Sequence, residues 1–152
     1  MCIYKGVLRF ARDPALRVFA QHHLATEQKH LRLIEAWLPL AQRSRLLRMW
    51  RLAGFPTGAL PALFGPRAVY ATIAAVETFV DHHYQEQVNQ LASQPTLSAL
   101  RQTLLDCQAD EVAHRDEAAT ARGPGQPGWL LRAWCAMVGA GSRAAVTLIR
   151  HV

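Results

Sequence analysis

Apolar residues recur at helical spacing through most of this chain, and proline or glycine marks the gaps between the periodic runs. The opening stretch, CIYKGVLRFA, already reads as an amphipathic helix. Asp13-Pro14 then supplies a capping residue followed by proline in the first turn, which predicts a helix running past Leu33, Ile34 and Trp37 to about Pro39. A third stretch passes through Leu46, Leu47, Met49, Trp50 and Leu52. Gly54, Pro56, Gly58 and Pro61 break its rhythm, so it is expected to be the least regular part of the molecule. After Gly65-Pro66 the run RAVYATIAAVETFVDHHYQEQVNQLA predicts a long helix, buried at its middle and polar towards its end. Pro95-Thr96 opens another, through Leu97, Leu100, Leu104 and Leu105 to Ala121, closed by GPGQPG at 123–128. The last segment, from Trp129 onward, is amphipathic with basic residues spaced along it. About six helical pieces and few strands are therefore expected, with no internal repeat.

At 152 residues the chain is the size of one domain with one core. Charged residues make up 18% and hydrophobic residues 51%. Soluble domains usually carry roughly 25% charged, so this surface is apolar and the composition excludes a disordered chain. Seventeen Lys and Arg against eleven Asp and Glu leave a net charge of +6, which attracts an anionic partner such as a phospholipid surface or a nucleic acid. Cys2, Cys107 and Cys135 show no paired or metal-type spacing, which argues against a disulfide framework or zinc ribbon and for a reducing compartment. No apolar run approaches the ~20 residues of a membrane span, and the start lacks the apolar core of a signal peptide.

Chemistry enters with two E-x-x-H pairs, Glu27 with His30 and Glu111 with His114. Three residues apart on a helix, each pair projects from one face and can hold one metal ion or share two. Six Glu and seven His placed at random in 152 residues give about 0.3 such pairs, so two are suggestive. Glu77 is sharper. It lies inside ATIAAVETFV, where burying a carboxylate is costly without a counter-charge and the same stretch offers no Lys or Arg. Its alternative reading is a protonated or partly exposed glutamate at a helix edge. A di-metal carboxylate bundle takes one Glu from each of two helices and an E-x-x-H from each of the other two. Three of those four elements are present here, and a glutamate on the first helix is missing. Carboxylate and imidazole donors suit iron or manganese.

These residues resemble the di-iron demethoxyubiquinone hydroxylases of ubiquinone biosynthesis. The likeness includes IYKG at 3–6, E-x-x-H-L at 27–31, W-x-x-x-G-F at 50–55, AVE-x-x-V-x-x-HY-x-x-Q at 75–87, DE-x-x-HRDEA at 110–118 and AGSRAAVTL near the end. The resemblance implies an all-α, ferritin-like four-helix bundle over residues 1–152, with two additional amphipathic helices facing a membrane. It implies Glu27, His30, Glu77, Glu111 and His114 as ligands of two iron ions, with His83 and Tyr84 lining or supporting the site. The implied reaction is ring hydroxylation of a polyprenyl demethoxyubiquinol by dioxygen, with electrons derived ultimately from NADH. No Gly-rich nucleotide motif accompanies it, so a separate donor or the quinone itself would relay them. The family's first helix opens with a G-E-x-G-A element whose Glu is the remaining ligand, and this chain starts just after that place. Either Met1 is an internal residue of a longer protein, the reading preferred here, or the site has five ligands or is inactive. Pro56 and Pro61 also depart from the family pattern, so the third helix is expected to kink differently.

Other residues near these motifs have more than one reading. His23 shares a face with Glu27 and His30 and reaches towards the same point, although a satisfied core histidine is the commoner outcome. Cys107 shares a face with Glu111 and His114 but has the character of a packing residue. Asp110 and Asp116 are placed to orient a ligating imidazole, or to lie on a solvated face. Arg43, Arg45, Arg48 and Arg51 interleave with Leu46, Leu47, Met49, Trp50 and Phe55, and Trp129, Leu130, Leu131, Trp134 and Met137 open the last helix. Both patterns suit helices lying among lipid headgroups, with packing against the bundle as the rival. That predicts a peripheral protein of the inner membrane, facing the cytoplasm or the mitochondrial matrix, with other ubiquinone-biosynthesis proteins as partners. No recognition motif for nucleic acid is seen. The competing function is a non-catalytic membrane-surface adaptor, or a metal-binding bundle with an incomplete site.

Overall fold

In a computed structural model that describes residues 1–39, 43 and 47–149, side chains of Leu47, Arg48 and Ile149 excepted, the chain forms six α-helices and one 3-10 turn. They are α1 (Cys2–Phe10), α2 (Pro14–Trp37), α3 (Leu47–Leu63), α4 (Pro66–Gln90), α5 (Ser98–Arg122) and α6 (Trp129–Ile149), with the turn Pro95–Leu97 leading into α5. There is no strand among the described residues.

The boundaries follow local chemistry. Asp13 caps α2 by accepting from the Leu16 amide at 2.7 Å, ahead of Pro14 in the first turn. Gly123, at φ +75°, ends α5 in a conformation that residues with a Cβ rarely adopt. The second helix stops at Trp37, two residues short of Pro39. The larger departure is α3, which stays helical through Pro56 and Pro61. Each proline removes one hydrogen bond to the carbonyl four residues before it. For Pro56 that carbonyl belongs to Leu52, a residue 74% exposed, so water can serve it. Of the basic and apolar residues expected to begin this helix, Arg45 and Leu46 lie outside the described residues, as do the side chains of Leu47 and Arg48.

Four helices, α1, α2, α4 and α5, form the bundle, with α3 and α6 added outside it. α4 and α5 run antiparallel: Arg101 Nε donates to Val88 O at 3.3 Å, while Gln108 Nε2 and Arg115 Nη1 each donate to Asp81 at 2.8 Å. α2 is antiparallel to α5, pairing His23 with Glu117 and His30 with Asp110. α1 packs against α2 and α3, and α3 also meets α4. At the α1–α3 crossing the backbones nearly touch. A Cβ added to Gly58 would collide with Ile3 O, and one added to Gly6 with Phe55 O. α6 lies along α4, with Trp134 Nε1 donating to Thr72 Oγ1 at 3.0 Å.

The core changes character along its length. One end is apolar: Tyr4, Val7, Leu16, Phe19, Val69, Tyr70 and Ile73 are packed and buried. Further along the same inward stripes, α2 presents His23 and His30, α4 presents Glu77 and α5 presents Glu111 and His114, all buried. Polar groups there need partners or cations.

Candidate metal centre

Glu27, Glu77, Glu111 and His114 come from α2, α4 and α5, and one ligand atom from each lies within 4.8 Å of all the others. Ligand atoms about 2.0–2.2 Å from one cation are at most about 4.4 Å apart, so this group is within a few tenths of an ångström of clasping one, and suits a shared pair. Glu77 is 3% exposed and Glu111 2%, whereas Glu27 keeps a partly open side. No Lys or Arg is among the described hydrogen-bond partners of Glu77 and Glu111. Three carboxylates converging with one imidazole are the donor set of a cation site.

The carboxylates already divide their roles. Burial, then the charges of Glu111 and Glu27, pushes Glu77 well above the usual carboxylate range, and the bond from Tyr4 opposes this only in part. Burial would raise Glu111 too, but bonds from His114 Nδ1 (3.2 Å) and His30 Nδ1 (3.0 Å) hold it down at about 2. Of the two, Glu77 therefore holds a proton more readily than Glu111. The sequence called for a cation from elsewhere beside Glu77; the described hydrogen-bond partner is a neutral donor, Tyr4 Oη, which donates to Glu77 Oε1 at 2.9 Å. Of the alternative reading, the partly exposed form does not hold, since Glu77 is buried, while the upward shift agrees with the protonated form.

His30 does not stand among the four converging ligand atoms. Its Nδ1 faces Glu111 Oε1 at 3.0 Å and its Nε2 faces Asp110 Oδ2 at 2.9 Å. Burial lowers its pKa, yet the bonds to Glu111 and Asp110 and the charges of Glu111 and Glu27 leave it raised, so the ring acts as a double donor between two carboxylates. Asp110 thus touches an imidazole, whereas Asp116 is exposed and takes Arg115 Nε at 3.0 Å instead. His23 lies outside the group. It is fully buried, its Nε2 is 3.0 Å from Glu117 Oε2, and its Nδ1 has no described partner.

His83 and Tyr84 diverge from one another. His83 stacks on Phe79 (6.0 Å, 6°), accepts from Gln87 Nε2 at 3.2 Å, and borders a cavity of about 490 Å³ between α4 and α6. Tyr84 lies by Cys107 of α5, and burial, then that neighbouring thiol, raises its phenol. Tyr4 and Glu117 were missed as site residues. Tyr4 stood in the IYKG motif on the apolar face of α1, and Glu117 three residues beyond His114, but their partners are 73 and 94 positions away.

A family profile described as "Ubiquinone biosynthesis protein COQ7" matches residues 1–149. The chain is 32% identical over 127 residues to a 3-demethoxyubiquinol 3-hydroxylase of Ralstonia pickettii, covering 80% of this chain and 56% of the relative. It is 34% identical over 118 residues to the protein of that name from Rhodospirillum rubrum, covering 75% and 54%. It is 29% identical to a mitochondrial NADPH-dependent 3-demethoxyubiquinone 3-hydroxylase of Rattus norvegicus, again covering 75% and 54%. The chain thus spans about half the length of these relatives. A bundle of this topology, carrying this carboxylate group and matched by that profile almost end to end, belongs to the ubiquinone biosynthesis COQ7 family of ferritin-like helical proteins.

Proposed function

We propose that this chain is a di-iron hydroxylase acting on the ring of a polyprenyl demethoxyubiquinol in ubiquinone biosynthesis, with residues 1–152 forming one domain. The observation that carries the reading is the convergence of Glu27, Glu77, Glu111 and His114 in the buried middle of the bundle. Held there, iron would supply the activation of dioxygen that ring hydroxylation requires. The chain's own residues would do the rest. Glu77 from α4 and Glu111 and His114 from α5 would hold the cations, with Glu27 of α2 on the more open side. His30, which bridges Glu111 and Asp110, would be the further nitrogen donor beside Glu111 once deprotonated.

Substrate and membrane belong to the same reading. No described helix is long and apolar enough to cross a membrane. Phe64 (82% exposed), Leu63, Trp129 and Leu130 nevertheless face outward where α3 and α6 approach the start of α4. An almost wholly apolar groove of about 490 Å³ opens there, rimmed by Arg67, and suits an isoprenoid tail or acyl chains. Reducing equivalents would come from a nicotinamide nucleotide through a separate donor or the quinone, in keeping with NADPH in the name of the rat relative.

The test measures bound iron and the hydroxylated product from demethoxyubiquinol for the wild type, Glu77→Ala and Glu111→Ala, with residues 1–152 and with an upstream extension carrying G-E-x-G-A. About two irons per extended chain and turnover lost by at least 10²-fold in both variants are expected. Iron bound without turnover in every form would favour the adaptor or metal-binding reading.

A further inference from the structure

We propose that Tyr4 is a positioning residue of the metal centre, its hydroxyl pinning Glu77 in one orientation and so setting how tightly, and in what geometry, the carboxylate group holds a divalent cation. This rests on the metal reading above. α1 contributes none of the four converging ligand atoms, yet Tyr4 Oη reaches across to Glu77 Oε1 at 2.9 Å. The two residues are 2% and 3% exposed, so water does not compete for the bond, and with Glu77 ionised by a bound cation a hydroxyl donating to it would be among the stronger hydrogen bonds. Burial and the neighbouring Glu77 raise the phenol well above its ordinary range, which keeps it a donor at any physiological pH.

The ring is held as firmly as the hydroxyl. It stacks on His23 at 5.7 Å and 14°, and Phe19 lies tilted against it at 6.5 Å. His23 is itself fixed by Glu117 across the α2–α5 interface. The terminal torsion of a glutamate is broad, and a carboxylate free to rotate presents one or two oxygens to a cation indifferently. With Oε1 occupied by Tyr4, Glu77 offers Oε2 in a fixed direction. Partners of this kind usually change metal affinity by roughly 10–100-fold.

The experiment titrates the metal-free protein with Co(II), following its visible bands, in the wild type, Tyr4→Phe and Tyr70→Phe. Tyr70 is the control: it is buried in the same ring cluster, edge-on to Phe19 at 5.0 Å, and is not among the described hydrogen-bond partners of Glu77. Tyr4→Phe is expected to weaken Co(II) binding about tenfold and to shift the bands, with Tyr70→Phe matching the wild type. Wild-type affinity and bands in a folded Tyr4→Phe protein would overturn the proposal and leave the metal reading standing. A wild type that binds no Co(II) would overturn both. Should Tyr4→Phe not fold, wild-type protein labelled with 3-fluorotyrosine decides. Of its three tyrosine resonances, assigned with Tyr70→Phe and Tyr84→Phe, that of Tyr4 is expected to move on adding Zn(II), and a stationary one refutes the role.

Discussion

His23 has no contact with water, and only one of its ring nitrogens finds a partner. Burial, then the neighbouring His114 and His22, lowers its pKa to about 3. In the unfolded chain it would titrate near 6.5, so below that pH the unfolded state takes up a proton that the folded state refuses. The metal-free protein therefore loses stability through this residue as pH falls from 6.5 towards 3, by about 2 kcal/mol over the first 1.5 units. Glu77, shifted upward, works in the opposite direction, so the effect is read as a difference. Urea unfolding at pH 7 and pH 5 should show the wild type losing about 2 kcal/mol more than His23→Leu; equal losses would refute it. At this scale the sequence reading reached the residues before it reached their partners. E-x-x-H spacing found Glu27, Glu111 and His114, and an apolar neighbourhood found Glu77. It could not show that His30 spends both nitrogens on carboxylates or that His23 turns to Glu117, because those bonds join positions 80 or more apart.

Helix boundaries were the most legible feature, since a cap is chemistry confined to four or five neighbouring residues. Asp13-Pro14, Pro95 and Gly123 each mark an end that the structure keeps. The interior of α3 was the least legible. Two prolines and two glycines argued for irregular chain, and only packing against α1 shows what the glycines are for. Gly58→Ala would drive a methyl group into the Ile3 carbonyl, where backbone rather than a flexible side chain must yield. A loss of about 1–3 kcal/mol is expected, despite the higher helix propensity of alanine. A thermal melt reads it, and an unchanged midpoint would mean that the two helices part at no cost.

For the molecule as a whole, a +6 charge and an apolar rim around the start of α4 would act in concert in the proposed attachment to an anionic bilayer. Vesicles containing phosphatidylglycerol should bind the protein, neutral vesicles less, and added salt should weaken the attachment. Each large apolar side chain buried in lipid contributes about 1.5–3 kcal/mol, so Phe64→Ser with Leu130→Ser should lower binding at least tenfold without shifting the melt. Sedimentation with vesicles measures it, and unaltered binding by the double variant would place the contact elsewhere.

The close α1–α3 crossing reaches further than its own stability. α1 packs along α2 and α3, and its backbone nearly touches that of α3 at Gly6 and Gly58. Tyr4 rides on that helix. Damage on the outer flank of α3, in a helix that supplies none of the four converging oxygens and nitrogen, would consequently register in the middle of the bundle as a loosened grip on metal.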